Sequence, residues 1–255
     1  MLDKTFSPPR DQVREAVEGA PGYWAGPLLT DAELTHIREL IDRQFLRRIE
    51  ELAPHHLAVF ADAGIQRYHL HSHLIDHASA WRRRDRLFAS DGIEFLLQSS
   101  MLRRLADAFG PIEITNEIGH AEPEIVWRLV RPDAEGDIGP LHVDRWFWEI
   151  NQWPIAAGRR LIKVWTMVHG DVGRAGLRVV AGSHRGEPVK YSVEHRAGIF
   201  KPVFDEIEAG VKPALVDTPG GTSVVFHYHL LHGGAATRGD VCRVSFEFTM
   251  SVPDC

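Results

Sequence analysis

The chain has 255 residues, of which 44% are hydrophobic and 25% charged, enough apolar sequence to bury a large core in one domain. A net charge of -6 disfavours a general nucleic-acid binder. Two cysteines exclude a disulfide framework and a cysteine-rich zinc site. No apolar run is long enough for a membrane span, and the opening residues lack the apolar segment of a signal peptide. We therefore expect a cytoplasmic protein that acts on a small molecule; its oligomeric state is not indicated.

The first half of the chain is patterned as helices. Thr30 and Glu33 have the spacing of a capping box, which predicts a helix start. The apolar residues that follow recur at helical steps, at Leu34, Ile37, Leu40, Ile41 and Phe45. A second amphipathic stretch over residues 93–109 ends at Gly110. Between the two lie four arginines in residues 81–86, which predict an exposed helix face or a contact with an anion.

The second half consists of short strand-like segments separated by glycine and proline. The predicted strands cover residues 124–130, 141–148, 161–168, 177–180, 214–216, 222–227 and 241–252. Helices followed by many short strands indicate an α+β chain whose second half is a barrel or sandwich. No linker separates the halves, so we expect a single domain over residues 1–255. Residues from about 1 to 115 would form a helical buttress, and residues from about 120 to 252 the β core.

Three residues in the second half have the composition of an iron site. His142 and Asp144 are separated by one residue, and His232 follows ninety residues after the first histidine. Two imidazoles and one carboxylate make the facial triad that holds non-haem Fe(II) with open positions. In a strand, residues 142 and 144 share a face. His227 and His229 are alternatives for the third ligand, with core hydrogen bonding as their other interpretation.

Arg243 lies eleven residues beyond His232 in an otherwise apolar strand. A buried arginine needs an anionic partner, because an unpaired buried charge is costly. Its guanidinium could bind the distal carboxylate of 2-oxoglutarate with two parallel hydrogen bonds. The alternative partner within the protein is Glu247.

A different metal site is conceivable at residues 68–77. His69, His71 and His73 alternate and would share one face of a strand, with His77 nearby. Paired histidines of this kind occur in metal hydrolases, although no further ligands stand in a recognisable pattern. The second alternative is a barrel that binds a ligand without catalysing a reaction. Such a protein would have no need of the complete triad together with Arg243.

The motifs of the second half together resemble the phytanoyl-CoA dioxygenase family. The matching blocks are residues 141–144, 164–167 and 175–184, then the segment 232–234 and Arg243, and they cover roughly residues 122 to 250. The resemblance implies a double-stranded β-helix (a jelly-roll barrel) and an Fe(II)- and 2-oxoglutarate-dependent dioxygenase that consumes O2. It implies that His142, Asp144 and His232 bind iron and are the catalytic centre. Arg243 would bind the cosubstrate carboxylate, and Trp165 falls on a cosubstrate-contacting tryptophan.

The chain departs from the family pattern at Gly234, where serine or threonine is common, so one cosubstrate hydrogen bond is missing or comes from elsewhere, for example from Thr237. The carboxylate of Asp144 favours hydroxylation, desaturation or ring closure over halogenation. We expect hydroxylation of an unactivated carbon of a small polar or sugar-like metabolite, with succinate and CO2 as coproducts.

Three residues are candidates for substrate contact. Strand parity would place Trp146 and Trp148 on the face of the iron ligands, although ordinary core packing is an equal alternative. Arg128 and Trp127 face opposite sides of the preceding strand, so one of them is expected to line the pocket; spacing does not decide which. Arg128 in the pocket would imply an anionic substrate group.

Overall fold

The computed structural model describes residues 10–116, 123–186, 189–196, 199–205 and 209–254. Within these ranges the helices are α1 (Arg10–Glu18), α2 (Asp31–Leu52), α3 (Leu57–Ala63), α4 (His77–Ala80), α5 (Ser90–Gln98), α6 (Ser100–Phe109) and α7 (Asp144–Ile150). No helix in the described ranges is long and apolar enough to cross a membrane.

The strands form two main sheets and a hairpin. The major sheet has the order β1 (Tyr23–Pro27), β9 (Thr222–His227), β4 (Arg159–His169), β11 (Arg243–Pro253) and β2 (Glu113–Ile114), with β3 (Val126–Val130) also paired to β11. The minor sheet has the order β10 (His232–Gly234), β5 (Leu177–Val179) and β8 (Ala214–Leu215). The hairpin joins β6 (Ser192–Arg196) to β7 (Ile199–Val203). The pairings between these strands are all antiparallel, as expected for a jelly roll.

Both faces of the major sheet are covered. Alternate residues of β4 and β11, such as Val164, Phe246 and Phe248, pack against the helices α2, α5 and α6 in the largest core. The opposite face contributes Trp165 and Met167 to a second core, which it shares with Leu177 of the minor sheet. Period-two alternation therefore sends every second side chain of β4 and β11 toward the space between the sheets.

The predicted capping box is present at the start of α2. Thr30 Oγ1 accepts a hydrogen bond from the backbone N–H of Glu33 at 3.2 Å, and the Thr30 N–H donates to Glu33 Oε2 at 2.8 Å. Glu33 also accepts a hydrogen bond from the backbone N–H of Ser100 at 2.6 Å, which ties α2 to the start of α6. The predicted buried face, from Leu34 to Phe45, is buried.

Three predicted elements differ from the structure. The stretch 93–109 is two helices, because Ser99 ends α5 and caps α6, and Leu97 within it is exposed. Residues 141–148 are not a strand: residue 142 makes an isolated bridge, and α7 begins at Asp144. The error arose because a short tryptophan-rich apolar run fits a strand and a buried helix equally well. Three of the four arginines lie on a short 3-10 turn, Arg83–Arg86, and the fourth, Arg82, directly precedes it, so they do not form a helix face.

Candidate metal centre and its cavity

The backbones of His142 and His232 are hydrogen-bonded directly to each other. The N–H of His142 donates to the carbonyl of His232 at 2.8 Å, and the N–H of His232 donates back at 2.9 Å. Residues paired in this way across an antiparallel bridge project their side chains to the same face. The imidazole centroids are 4.5 Å apart, so two residues that are ninety positions apart in sequence are held side by side.

Each imidazole is also fixed by a hydrogen bond within its own loop. Nδ1 of His142 lies 2.9 Å from the carbonyl of Pro140, and Nδ1 of His232 lies 2.9 Å from the carbonyl of Leu230. A carbonyl oxygen can only accept, so both Nδ1 atoms carry the proton. The lone pairs of the two Nε2 atoms are left facing Asp144, which is the orientation that metal-binding histidines need.

Asp144, the first residue of α7, completes the group. Its Oδ1 is 3.6 Å from His142 Nε2, and its Oδ2 is 3.8 Å from His232 Nε2, both longer than hydrogen bonds. Oδ2 is buried without a hydrogen-bond partner. An orphaned carboxylate oxygen beside two unprotonated nitrogens is a donor set that fits a divalent cation. In the part of the chain that the structure describes, this is the one group of ligand residues arranged to hold a metal ion.

The electrostatics of the site keep the donors in their metal-binding forms. Burial lowers the pKa of His232 to about 4, with Asp144 opposing that shift, so the ring is neutral at neutral pH. Burial by itself would raise the pKa of Asp144, but Lys163 and the two histidines outweigh it and hold the pKa well below its usual range. The Asp144 carboxylate is therefore an anion. The carboxylate and the neutral imidazole of His232 are both suited to bind a cation.

Glycine at positions 233 and 234 allows the close approach of β10 to its neighbours. A Cβ on Gly233 would lie 3.0 Å from the carbonyl oxygen of Pro140 and 3.2 Å from backbone atoms of Leu141. A Cβ on Gly234 would lie 3.3 Å from Nη2 of Arg243. The bare backbone after His232 therefore lets the loop that carries His142 pack directly against β10, and leaves room for the guanidinium.

Arg243 lines the same cavity and is 2% exposed. Its Nη1 donates to the carbonyl of Gly176 at 2.8 Å, and its buried Nε has no hydrogen-bond partner among the residues that the structure describes. The indole of Trp165 lies beside it, with its ring centroid 5.8 Å from the guanidinium carbon. A buried cation without a carboxylate of its own fits the end of a dicarboxylate cosubstrate.

Glu247, the alternative partner of Arg243, is bound to Arg128 instead. Arg128 Nε donates to Glu247 Oε1 at 3.0 Å, and Arg128 Nη2 donates to the same oxygen at 2.5 Å. Strand register explains the pairing: residue 128 lies opposite Ser245, diagonally adjacent to Glu247.

The cavity has a volume of about 530 Å³, in the range of small-molecule sites. The metal-site residues and Arg243 line it, together with aromatic and charged side chains. The aromatic lining residues are Trp81, Phe147, Trp148, Trp153 and Trp165; the charged ones outside the triad are Arg82, Arg83, Arg86, Arg128, Asp137, Lys163, Lys201, Arg243 and Glu247.

Only some of the residues predicted to contact substrate line the cavity. Trp148 lines the cavity. Trp146 does not: it stacks on Tyr191, with centroids 4.4 Å apart, in a separate small core, so its predicted position beside the ligands is wrong. The helical turn of α7 rotates residue 146 away from residue 144, where a strand would have aligned the two. Arg128 faces the cavity, and Trp127 is buried in the helix-side core.

Sequence reasoning missed several cavity residues, among them Lys163 and Phe147. Lys163 is buried and lies two positions before Trp165 on β4, so strand parity could have placed it there. Phe147 lies edge-on to His142, with centroids 5.5 Å apart. Thr237, considered as a replacement hydrogen-bond donor, is buried with an unpaired hydroxyl and is not among the described cavity-lining residues.

The alternative metal ligands lie elsewhere. His229 contacts Arg145, at 3.1 Å between Nε2 and Nη1, and His227 accepts a hydrogen bond from the backbone of His229. Residues 69–73 lie on 3-10 turns rather than on a strand, so the predicted alternation of histidines is wrong. His77 is engaged by Tyr68 at 3.0 Å and Asp137 at 3.3 Å.

Comparison with solved structures gives several matches along nearly the whole chain. AviO1 from Streptomyces viridochromogenes is 15% identical, with 96% of each chain covered and a TM-score of 0.57. EvdO2 from Micromonospora carbonacea var. aurantiaca is 13% identical, with 99% of this chain and 92% of that chain covered and a TM-score of 0.58. The epimerase SnoN, crystallised with Fe3+, alpha-ketoglutarate and nogalamycin RO, is 14% identical, with 96% of this chain and 85% of that chain covered and a TM-score of 0.55.

Similarity at these identities shows a shared fold, and the predicted double-stranded β-helix with N-terminal helices is confirmed. A comparison with curated protein sequences gives no significant match. The phytanoyl-CoA dioxygenase (PhyH) family matches residues 22–245, most of the chain. The expected Fe(II) and 2-oxoglutarate agree with that match and with the triad. The chain therefore belongs to the phytanoyl-CoA dioxygenase family.

Proposed function

We propose that this protein is an Fe(II)- and 2-oxoglutarate-dependent dioxygenase that hydroxylates an unactivated carbon of a small polar or sugar-like metabolite. The observation that carries the proposal is the convergence, in one cavity, of His142, Asp144 and His232 with a buried Arg243 whose Nε has no partner. Family membership independently supports oxygenase chemistry.

In this proposal His142, Asp144 and His232 hold the iron. The Nδ1 hydrogen bonds to Pro140 and Leu230 prevent ring rotation, so the Nε2 atoms are already oriented before the metal arrives. Bound iron and 2-oxoglutarate supply the oxidising chemistry, with O2 consumed and succinate and CO2 released.

Arg243 binds the distal carboxylate of 2-oxoglutarate, and Trp165 packs beside it. Both are 2% exposed, so the carboxylate would be bound away from water, where a charge-assisted hydrogen bond is strong. Lys163 lies in the same cavity and favours the anionic form of Asp144. The aromatic wall formed by Phe147, Trp148 and Trp153 then limits the access of water to the reacting carbon.

Asp144 would bind the iron where a halogenase binds halide, which argues against halogenation, and hydroxylation is the outcome we propose among those that remain. Solved structures of similar fold include a monooxygenase (ThoJ), a carbocyclase (SnoK) and an epimerase (SnoN), so the fold accommodates several outcomes. A product heavier than its substrate by one oxygen atom, labelled from 18O2, would identify hydroxylation.

The test is an anaerobic titration of Fe(II) and 2-oxoglutarate into metal-free protein, with the weak visible charge-transfer band of the chelate as readout. We expect the band in the wild type and its loss in His142→Ala. Arg243→Ala should weaken 2-oxoglutarate binding by roughly tenfold to a hundredfold while Fe(II) binding stays intact, because only the distal contact is lost. His229→Ala is the matched control: it removes an imidazole from the same part of the chain but outside the cavity, and it should leave the band unchanged.

A folded wild-type protein that gives no band would contradict the proposal. A band without release of succinate in the presence of O2 would favour the alternative of a ligand-binding barrel that does not turn over.

A further inference from the structure

A second cavity adjoins the metal-site cavity. Its volume is about 590 Å³, and its lining includes Ser72, Ile75, His77, Leu129 and Arg131. Trp81, Arg86, Arg128 and Asp137 line both cavities and form the junction between them. A ligand in the metal-site cavity would therefore meet two guanidinium groups where it leaves that cavity toward the second one.

In the described part of the chain, Arg86 is hydrogen-bonded to backbone carbonyls and not to a carboxylate. It donates through Nε and Nη1 to the carbonyls of Trp81 and Trp127, both at 2.8 Å, and carbonyls carry no net charge. Glu247, which is hydrogen-bonded to Arg128, also attracts Arg86 and Arg243, and Asp85 attracts Arg86. Three arginines thus share the charge of Glu247.

The pKa of Arg86 reflects this arrangement. Burial, and next the neighbouring Arg128, lower the pKa of Arg86 to about 9, and Glu247 and Asp85 offset this only in part. Asp137 is bound by Arg131 through Nε and Nη2, each at 2.8 Å. The 2-oxoglutarate carboxylate would bind Arg243 and would leave Arg86 hydrogen-bonded to carbonyls alone.

We propose that the substrate carries an oxyanion, a carboxylate or a phosphate ester, that binds Arg86 and Arg128 at the junction between the two cavities. The inference rests on the proposed function and deepens it by naming the substrate class. The oxyanion would orient the substrate, with one part of the molecule beside the metal ligands and another reaching the second cavity.

The test is calorimetric titration of methyl phosphate and of acetate into protein that has been supplied with Mn(II) and 2-oxoglutarate. Mn(II) replaces Fe(II) to avoid turnover, and 2-oxoglutarate fills the Arg243 position. The two anions separate a phosphate site from a carboxylate site. Arg86→Gln and the double variant Arg128→Gln/Glu247→Gln remove one cation each. The double variant also removes the carboxylate of Glu247, so no buried carboxylate is left unpaired. Arg84→Gln is the matched control, because Arg84 has an exposed side chain, lies 3.9 Å from Asp85 and is not among the residues that line either cavity.

We expect saturable binding of at least one anion, weakened about tenfold or more by Arg86→Gln and by the double variant and unchanged by Arg84→Gln. The circular dichroism spectra should match, which excludes a folding defect. No binding, or equal weakening in all three variants, would overturn the inference. Separate titrations of Mn(II) and 2-oxoglutarate test the proposed function: if they fail while the anion pattern holds, the oxyanion site stands and the oxygenase assignment falls.

Discussion

At the scale of single residues, two backbone hydrogen bonds determine where the metal-binding imidazoles point. They join His142 to His232, and the carbonyls of Pro140 and Leu230 then fix each ring. Gly233 makes this pairing possible, because a side chain there would collide with the backbone of Pro140 and Leu141. The position of the ligands therefore depends on a residue that has no side chain with which to bind the metal.

Gly233→Ala should weaken Fe(II) affinity by about tenfold. This is the lower end of the loss in affinity expected when a residue that supports the metal ligands is changed. The added methyl would push the loop with His142 away from β10, and backbone cannot yield as the end of a flexible side chain can. Gly139→Ala is the matched control, because a Cβ at that position meets nothing within 4 Å. Competition with a chromophoric chelator measures both affinities, and equal affinities in the two variants would contradict the argument.

At the scale of elements, the start of α2 joins local and long-range interactions. Thr30 and Glu33 satisfy backbone N–H groups at the helix N-terminus, and Glu33 also accepts a hydrogen bond from Ser100 at the start of α6. Helix α2 buries Leu34, Ile37 and Ile41 in the core between the helices and the major sheet. A cap that is readable in the sequence thus also positions a second helix.

Thr30→Ala should lower the free energy of unfolding by about 1 kcal/mol, the usual cost of losing an N-cap side chain. Thr35→Ala is the control on the same helix: the Thr35 hydroxyl bonds only to the carbonyl of Asp31, and alanine is the better helix former, so the change should stay within about 0.5 kcal/mol. Urea denaturation monitored by circular dichroism measures both. A cost for Thr35→Ala as large as that for Thr30→Ala would argue against the cap.

At the scale of the whole molecule, the major sheet is buried on both faces, so neither half of the chain provides a complete core. The helix-facing side chains of β4 and β11, including Val164, Phe246 and Phe248, would be exposed without the N-terminal helices. The chain is therefore expected to fold as one domain, although residues 120–252 alone contain the metal ligands.

The fragment 120–252, produced alone, should be aggregated or molten, whereas the full chain should unfold cooperatively. An exposed apolar sheet face of this size promotes association between molecules. Thermal unfolding followed by tryptophan fluorescence, together with dye binding to the fragment, tests this expectation. A soluble fragment with a sharp unfolding transition would show that the β core is an independent domain.

The helix α2, several strands of the second half and the residues that converge at the metal centre could be predicted from the sequence. Long strands such as β4 and β9 could be predicted because their apolar runs are bounded by glycine or proline, and α2 because its cap and apolar period agree. The order and spacing of His142, Asp144, His232 and Arg243 were sufficient to expect them in one site, and the structure brings them to one cavity.

Many of the other side chains that line this cavity could not be predicted from the sequence, because their positions depend on tertiary packing. Period-two reasoning failed after Asp144, because the chain turns into α7 there, so Trp146 packs into another core while Trp148 stays in the cavity. The choice between Trp127 and Arg128, and the pairing of Glu247 with Arg128, depended on which face of β3 the helices cover. Local patterns specify alternation along a strand, but the burial of one face or the other depends on contacts with residues far away in the sequence.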